Sequence, residues 1–154
     1  MKYESGRSMI EMMGVLAIMG VITVAAIAAI SSAMNIQKRN EVNDQVLQMV
    51  TQVRQLFTEY DDFSNINSAT IFGAIGMSNQ NPYGGTYEIS VNPADTRQFV
   101  VSITGLSQSD CEHFVIKGWN GSVGYEMSGH TQSGASGTCT NPNGQNVVQI
   151  TYGE

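Results

Sequence analysis

The sequence GRSMIE, at residues 6–11, is followed by nineteen residues without a charge, residues 12–30. At about 1.5 Å rise per helical residue, this run spans roughly 28 Å, close to the ~30 Å hydrocarbon core of a bilayer. Only a helix satisfies its own backbone polar groups in lipid, so the run is predicted to be helical despite its β-branched residues. A carboxylate is costly at the edge of such a span, so Glu11 indicates a partner or a role.

A glycine, four further residues and a glutamate ahead of a long apolar helix resemble the class III signal of type IV pilins and related pseudopilins. In that family a peptidase cuts after the glycine, the new N-terminus is methylated, and the glutamate is fifth in the mature chain. The resemblance implies a leader of residues 1–6, cleavage between Gly6 and Arg7, and a role for Glu11 in filament assembly. Arg7 departs from the family pattern, in which the first mature residue is usually Phe, Met or Leu.

Two glycines, Gly14 and Gly20, interrupt the apolar run, and each costs about 1 kcal/mol relative to alanine in a helix interior. Small residues of this kind let neighbouring helices pack closely. The resemblance to pilins implies, in addition, that the helix loosens near these glycines when subunits pack into a filament. Two other interpretations of the run stay open, namely a cleaved secretory signal peptide and a plain single-span membrane anchor.

From Asn35 the apolar residues narrow to one stripe with spacings of three and four, which is typical of an amphipathic helix. The stripe consists of Val42, Val46, Met49, Val50, Val53, Leu56, Phe57 and Tyr60. No Gly or Pro separates this part from the apolar run, so one helix is predicted over about residues 8–60. Residues 7–34 are then predicted to be the transmembrane and filament-core half, and residues 35–154 a globular head. The apolar stripe of the helical part of the head, residues 35–60, must be buried by the remainder of the head.

The remainder of the head is predicted to be a loop over residues 61–85, with a short helix at 68–75, and a sheet and disulfide region over 86–154. Alternating apolar residues between turn signals predict strands at 86–91, 98–104, 122–127 and 147–152. Ser107 is the expected N-cap of a helix that ends at Gly118, with Asp110 as a weak capping-box partner. The predicted fold class is α+β: one long N-terminal helix whose C-terminal half packs on an antiparallel sheet, which is the layout of a pilin.

The head is acidic, with eleven acidic residues against three basic ones beyond Asn40, a formal charge of −8. Such a surface repels polyanions, so nucleic acid is not predicted as a partner. Cys111 and Cys139 are the only cysteines. An even count in an exported domain favours a disulfide, and two free buried thiols are the alternative.

The titratable residues do not form a recognisable catalytic pattern. His113 and His130 lack metal-ligand spacing to other ligands, so neither a metal nor another cofactor is predicted. Cys111 and His113 lie two residues apart on a predicted helix and point in different directions, which argues against a thiol nucleophile. The acidic residues at 59, 61 and 62 lack the ligand series of a calcium loop and are expected to form a solvated helix end. The chain is predicted not to be an enzyme.

Taken with the motif, the resemblance implies a structural subunit of a type IV pilus, nearer the type IVb kind. The expected partners are further copies in a helical filament, a prepilin peptidase and the pilus assembly machinery. The expected location is the inner membrane before assembly and an extracellular pilus (fimbrium) afterwards. The alternatives are a minor pilin, a pseudopilin of a type II secretion-like machine and, further away, a membrane-anchored periplasmic binding protein. Adhesion, motility, conjugation and secretion are all open as the role of the filament.

Overall fold

The computed structural model describes residues 9–129, 139 and 144–153. Its elements, in chain order, are α1 (Met9–Leu56), α2 (Ser68–Ile75), β1 (Tyr87–Asn92), β2 (Asp95–Leu106), α3 (Gln108–Lys117), β3 (Ser122–Gly129) and β4 (Asn146–Gly153). The chain divides into two compact units, Met1–Lys38 and Arg39–Glu154, so α1 contributes to both. We call the described residues 9–38 the apolar segment and those from Arg39 onward the head unit.

The apolar segment is helical throughout, and every side chain from residue 9 to residue 37 is exposed within the single chain. Its most apolar window has a mean hydropathy of 2.5, and by length and composition alone the helix is able to cross a membrane. Two hydroxyl groups in the segment donate to carbonyl oxygens one turn earlier, from Thr23 to Met19 at 2.8 Å and from Ser31 to Ile27 at 3.0 Å. Their hydrogen bonds are therefore made within the helix, as an apolar environment requires.

In the head unit, α1 buries the predicted stripe against an antiparallel sheet of order β1-β2-β4-β3. The buried helix residues are Val42, Val46, Met49, Val50 and Val53. Facing them are alternate residues of the three strands whose burial is described, namely Tyr87, Ile89, Phe99, Val101, Ile103, Val148, Ile150 and Tyr152. This arrangement confirms the α+β, pilin-like architecture that the sequence predicted.

The predicted end of the long helix at residue 60 was wrong, because α1 ends at Leu56. Beyond Leu56 the backbone forms tighter turns with hydrogen bonds between residues three apart, such as the bond from Tyr60 N to Phe57 O at 2.9 Å. Asp62 then accepts hydrogen bonds from the backbone nitrogen and hydroxyl of Ser64, which lower the pKa of its carboxyl group. The stripe is shorter as a result, since the side chains of Leu56 and Tyr60 are exposed.

The other predicted elements are confirmed, with ends that move by no more than three residues. Helix α2 has the predicted bounds, and its caps are Asn67, whose side chain accepts from Ala69 N, and Gly76 in the left-handed conformation. Helix α3 has Ser107 as its N-cap and Gly118 as its C-cap, as expected. The strand β2 is longer than predicted because its pairing with β1 and β4 extends from Asp95 to Leu106.

A buried asparagine holds the turn that leads into β1. The side-chain amide of Asn81 donates to Thr104 O at 2.7 Å, and its oxygen accepts from the backbone nitrogens of Tyr83 and Gly85 at 3.0 Å each. At Gly85 a Cβ atom would lie 2.1 Å from Thr104 O, so only glycine fits there. The turn predicted at residues 81–85 is therefore confirmed, and the asparagine fixes it against β2.

Candidate functional site

The residues predicted to take part in processing and assembly lie at the start of the chain. Gly6 and Arg7, the predicted cleavage site, are outside the described residues, as is His130. Glu11 is exposed in the first turn of α1. Glu11 thus lies immediately ahead of the uncharged residues 12–30, where a carboxylate is costly without a partner.

Gly14 and Gly20 both lie inside α1, which is a regular helix at each of them. A Cβ atom at either position would meet nothing within 4 Å outside the helix's own neighbouring backbone. Among the residues that the structure describes, neither glycine is therefore required by a contact. The expected loosening of the helix near these residues during assembly stays a prediction.

The apolar surface around these residues is large. The exposed aliphatic and methionine side chains of the segment are Met9, Ile10, Met12, Met13, Val15, Leu16, Ile18, Met19, Val21, Ile22, Val24, Ile27, Ile30, Met34 and Ile36. Each of them keeps more than half of its surface exposed within the chain. Contiguous exposed apolar surface on this scale marks a site of interaction with lipid or protein.

The first residue of the head unit makes an ion pair that the sequence did not reveal. Arg39 Nε donates to Asp110 Oδ1 at 2.8 Å, and the two side chains are only 26% and 10% exposed. The other carboxylate oxygen of Asp110 accepts from the hydroxyl of Ser107, which in turn accepts from Asp110 N. The sequence predicted that Asp110 assists the cap of α3. In the structure it also connects that helix to α1 through the ion pair with Arg39.

Two further titratable groups belong to the same cluster. Burial, followed by the charge of Asp110, raises the pKa of Tyr83 to about 12. Burial, followed by the positive charges of Arg39 and Lys117, lowers the pKa of His113. Both groups are therefore neutral at pH 7, and they lie beside the ion pair of Arg39 and Asp110. The cluster holds elements together and does not present a base beside a nucleophile.

Cys111 and Cys139 form the predicted disulfide, with Cα atoms 5.8 Å apart, and the alternative of two free thiols is wrong. Both cysteines are buried, and the bond connects α3 to the chain that precedes β4. Cys111 is therefore unable to act as a nucleophile. Within the described ranges, no group of three or more His, Cys, Asp or Glu side chains is placed to hold a metal ion.

A second contact without a signal in the sequence lies at the end of α1. Arg54, which lies outside the apolar stripe, donates to Gly153 O at 2.8 Å and to Gly121 O at 3.3 Å. The guanidinium therefore bridges the last turn of α1, the end of β4 and the turn before β3. The pairing of a helix residue with backbone carbonyls 67 and 99 residues away leaves no local signal in the sequence.

A comparison with protein-family models gave no match, and no curated protein matches the chain significantly. Function is therefore inferred from the motif at the start of the chain and from the geometry of its two units.

Proposed function

We propose that this chain is a subunit of a type IV pilus, trimmed after Gly6 and polymerised through its apolar segment. The observation that carries the proposal is a helix apolar on all sides, with Glu11 in its first turn, in the same chain as a head unit that has its own core. The choice of the type IV pilin family rests on the sequence motif around Gly6 and Glu11. The head unit does not need the apolar segment to complete its core, so the segment is free for another use.

The exposed surface of the segment requires cover from outside the chain. Apolar surface in water costs about 25 cal/mol per Å², and the segment exposes more than a dozen large apolar side chains. Lipid satisfies this requirement before assembly, and the same segment of other copies satisfies it afterwards. The proposed location is accordingly the inner membrane, in a single pass, followed by an extracellular filament. A prepilin peptidase and an assembly machinery are the proposed partners.

Glu11 provides the register between neighbouring copies. Cleavage after Gly6 frees an α-amino group on Arg7, four residues before Glu11. An uncompensated carboxylate is costly beside lipid, and the amino terminus of an adjacent subunit offsets that cost most directly. Because the donor and acceptor surfaces differ, each added copy leaves a new free end, which gives an open helical assembly.

The test is Glu11→Gln, which keeps the size of the side chain and removes its charge. Expression in the native host should give a processed, membrane-inserted protein whose sheared surface filaments are absent or short. Glu41→Gln is the matched control, because Glu41 is an exposed carboxylate on the same helix in the head unit. A normal filament yield from Glu11→Gln would refute the proposed role of Glu11.

Processing is tested separately on the wild-type chain. The mass of the purified membrane form should correspond to a chain that begins at Arg7, and a Gly6 variant should accumulate the uncut precursor. A native N-terminus at Met1, or one beyond Ala33, contradicts the pilin assignment. Filament length and subunit abundance then distinguish a major pilin from a minor pilin or a pseudopilin.

A further inference from the structure

A tight turn, Trp119-Asn120-Gly121-Ser122, connects α3 to β3. Ser122 N donates to Trp119 O at 3.2 Å, and the Ser122 hydroxyl donates to the same oxygen at 2.7 Å. Gly121 has φ +75°, a conformation that side chains disfavour, so glycine follows Asn120 for a structural reason. Asn120 and Gly121 are both exposed, whereas Trp119 is buried.

We propose that Asn120 is a site of spontaneous deamidation, promoted by the guanidinium group of Arg54. The backbone nitrogen of Gly121 attacks Cγ of Asn120, and the new N–C bond closes a succinimide ring. The bond from Cγ to the side-chain nitrogen breaks, and that nitrogen leaves as ammonia with the proton from the Gly121 nitrogen. Water then opens the ring to aspartate or isoaspartate. No atom is oxidised or reduced.

The turn leaves both reacting groups available. Within the part of the chain that the structure describes, neither the Asn120 amide nor the Gly121 nitrogen has a hydrogen-bond partner. The absence of a side chain at residue 121 removes the steric obstacle to the attack. By contrast, Asn146 is fully buried, donates to Leu106 O at 3.0 Å and precedes a valine, so it is protected from the same reaction.

Arg54 places a positive charge beside this Asn-Gly turn. Its guanidinium donates to Gly121 O, and its two terminal nitrogens lie 3.8 and 3.9 Å from the position that a Gly121 Cβ would occupy. The contact with Gly153 O fixes the cation in this place. A fixed positive charge beside the Gly121 peptide stabilises the deprotonated nitrogen that attacks and the oxyanion that forms on Cγ.

The consequence is one additional negative charge on the surface of an already acidic head. The charge arises one residue from the carbonyl oxygen that Arg54 contacts, where an opposite charge is already held. The positive charge of Arg54 beside this turn partly offsets the repulsion between the new carboxylate and the acidic surface. This inference does not depend on filament formation.

The experiment uses the purified full-length chain in detergent, incubated at neutral pH and physiological temperature. Peptide mapping by mass spectrometry follows the gain of one mass unit at Asn120, with water labelled with heavy oxygen to mark ring opening. The Asn143-Gly144 pair in the same sample reports the rate at a second pair of the same sequence. We expect Asn120 in the folded chain to react faster than in the same chain unfolded in denaturant.

Two variants test the part played by Arg54. Arg54→Met should slow the reaction at Asn120 by about tenfold, the equivalent of one unit in the pKa of the attacking nitrogen, and leave Asn143 unchanged. Arg54→Lys retains a cation and should keep most of the wild-type rate. The fluorescence of Trp119 confirms that each variant is folded. The proposal is overturned if Asn120 does not react in the folded chain, or if both variants slow it equally.

Discussion

The two parts of helix α1 have the same backbone conformation and opposite surroundings. In the apolar segment every described side chain up to residue 37 is exposed, whereas in the head unit a side chain is buried every three or four residues. The second part is covered by the sheet of its own chain, and the first is left uncovered by the residues that the structure describes. Length and helicity alone therefore do not explain the helix, because the distribution of apolar residues decides what must cover each part.

The largest expected effect comes from the same substitution made in each part. Met49→Ala removes a fully buried side chain and should lower the free energy of unfolding of the head by about 2–5 kcal/mol. Met19→Ala, at a side chain that is 61% exposed, should leave that quantity nearly unchanged. Denaturant titration in detergent, followed by the fluorescence of the buried Trp119, measures both. Equal losses of unfolding free energy from the two variants would contradict the conclusion that only the second part of the helix belongs to the core of the head.

The second prediction concerns the ion pair of Arg39, the first residue of the head unit, and its contribution to the stability of the head. Arg39→Met leaves Asp110 largely buried without its charged partner and should destabilise the head by about 2 kcal/mol. Arg97→Met is the matched control, since Arg97 is exposed and should contribute little. Combining Arg39→Met with Asp110→Asn should recover part of the loss, because the uncompensated carboxylate is then absent. If the loss of stability in the double variant equals the sum of the two single losses, the two side chains do not interact energetically.

The smallest effect compares two buried tyrosines under the helix. The hydroxyl of Tyr87 donates to Gln45 Oε1 at 2.6 Å, so Tyr87→Phe should cost about 1 kcal/mol. The hydroxyl of Tyr152 is buried without a hydrogen-bond partner among the described residues. Tyr152→Phe should therefore be neutral or stabilising at pH 7. Thermal unfolding of both variants checks the difference, and a marked loss from Tyr152→Phe would reveal a bond that the structure does not show.

The same tyrosines predict the behaviour of the head in alkali. Burial raises the pKa of Tyr152 to about 12, from an ordinary value of 10.0, and burial also raises the pKa of Tyr87. The folded state favours the neutral phenol, so this contribution to stability is complete below pH 10 and is lost as the pH rises from about 10 to 12. Unfolding midpoints measured across this range should fall less steeply for Tyr152→Phe than for the wild type.

Most elements of the fold were predictable because their signals are local. Strand alternation, the turn residues between strands and the Ser107 cap all lie within a few residues of the elements they define. The cysteine pairing was predictable because the chain has only two cysteines. The helix end was misplaced because no Gly or Pro marks it, and the turn beyond Leu56 depends on backbone and Asp62 contacts.

The contacts that hold the head together were not predictable. Arg39 and Asp110 are 71 residues apart, and each is unremarkable in its own segment of sequence. Arg54 contacts backbone carbonyls, which no side-chain pattern indicates. Conversely, the motif around Gly6, where cleavage is proposed, is seen only in the sequence, since the described residues begin at Met9. Sequence and structure therefore inform different parts of the molecule.

The order of the strands determines when the head is able to fold. The last strand, β4, occupies an interior position between β2 and β3, and it is the partner of both. Until residues 146–153 have been synthesised, β2 lacks one neighbour and β3 has no partner strand in the sheet. Long-range pairing of this kind forms late. A chain truncated before residue 146 therefore leaves β2 open along one edge and β3 unpaired, so the loss of one short terminal segment removes two of the three strand pairings in the sheet.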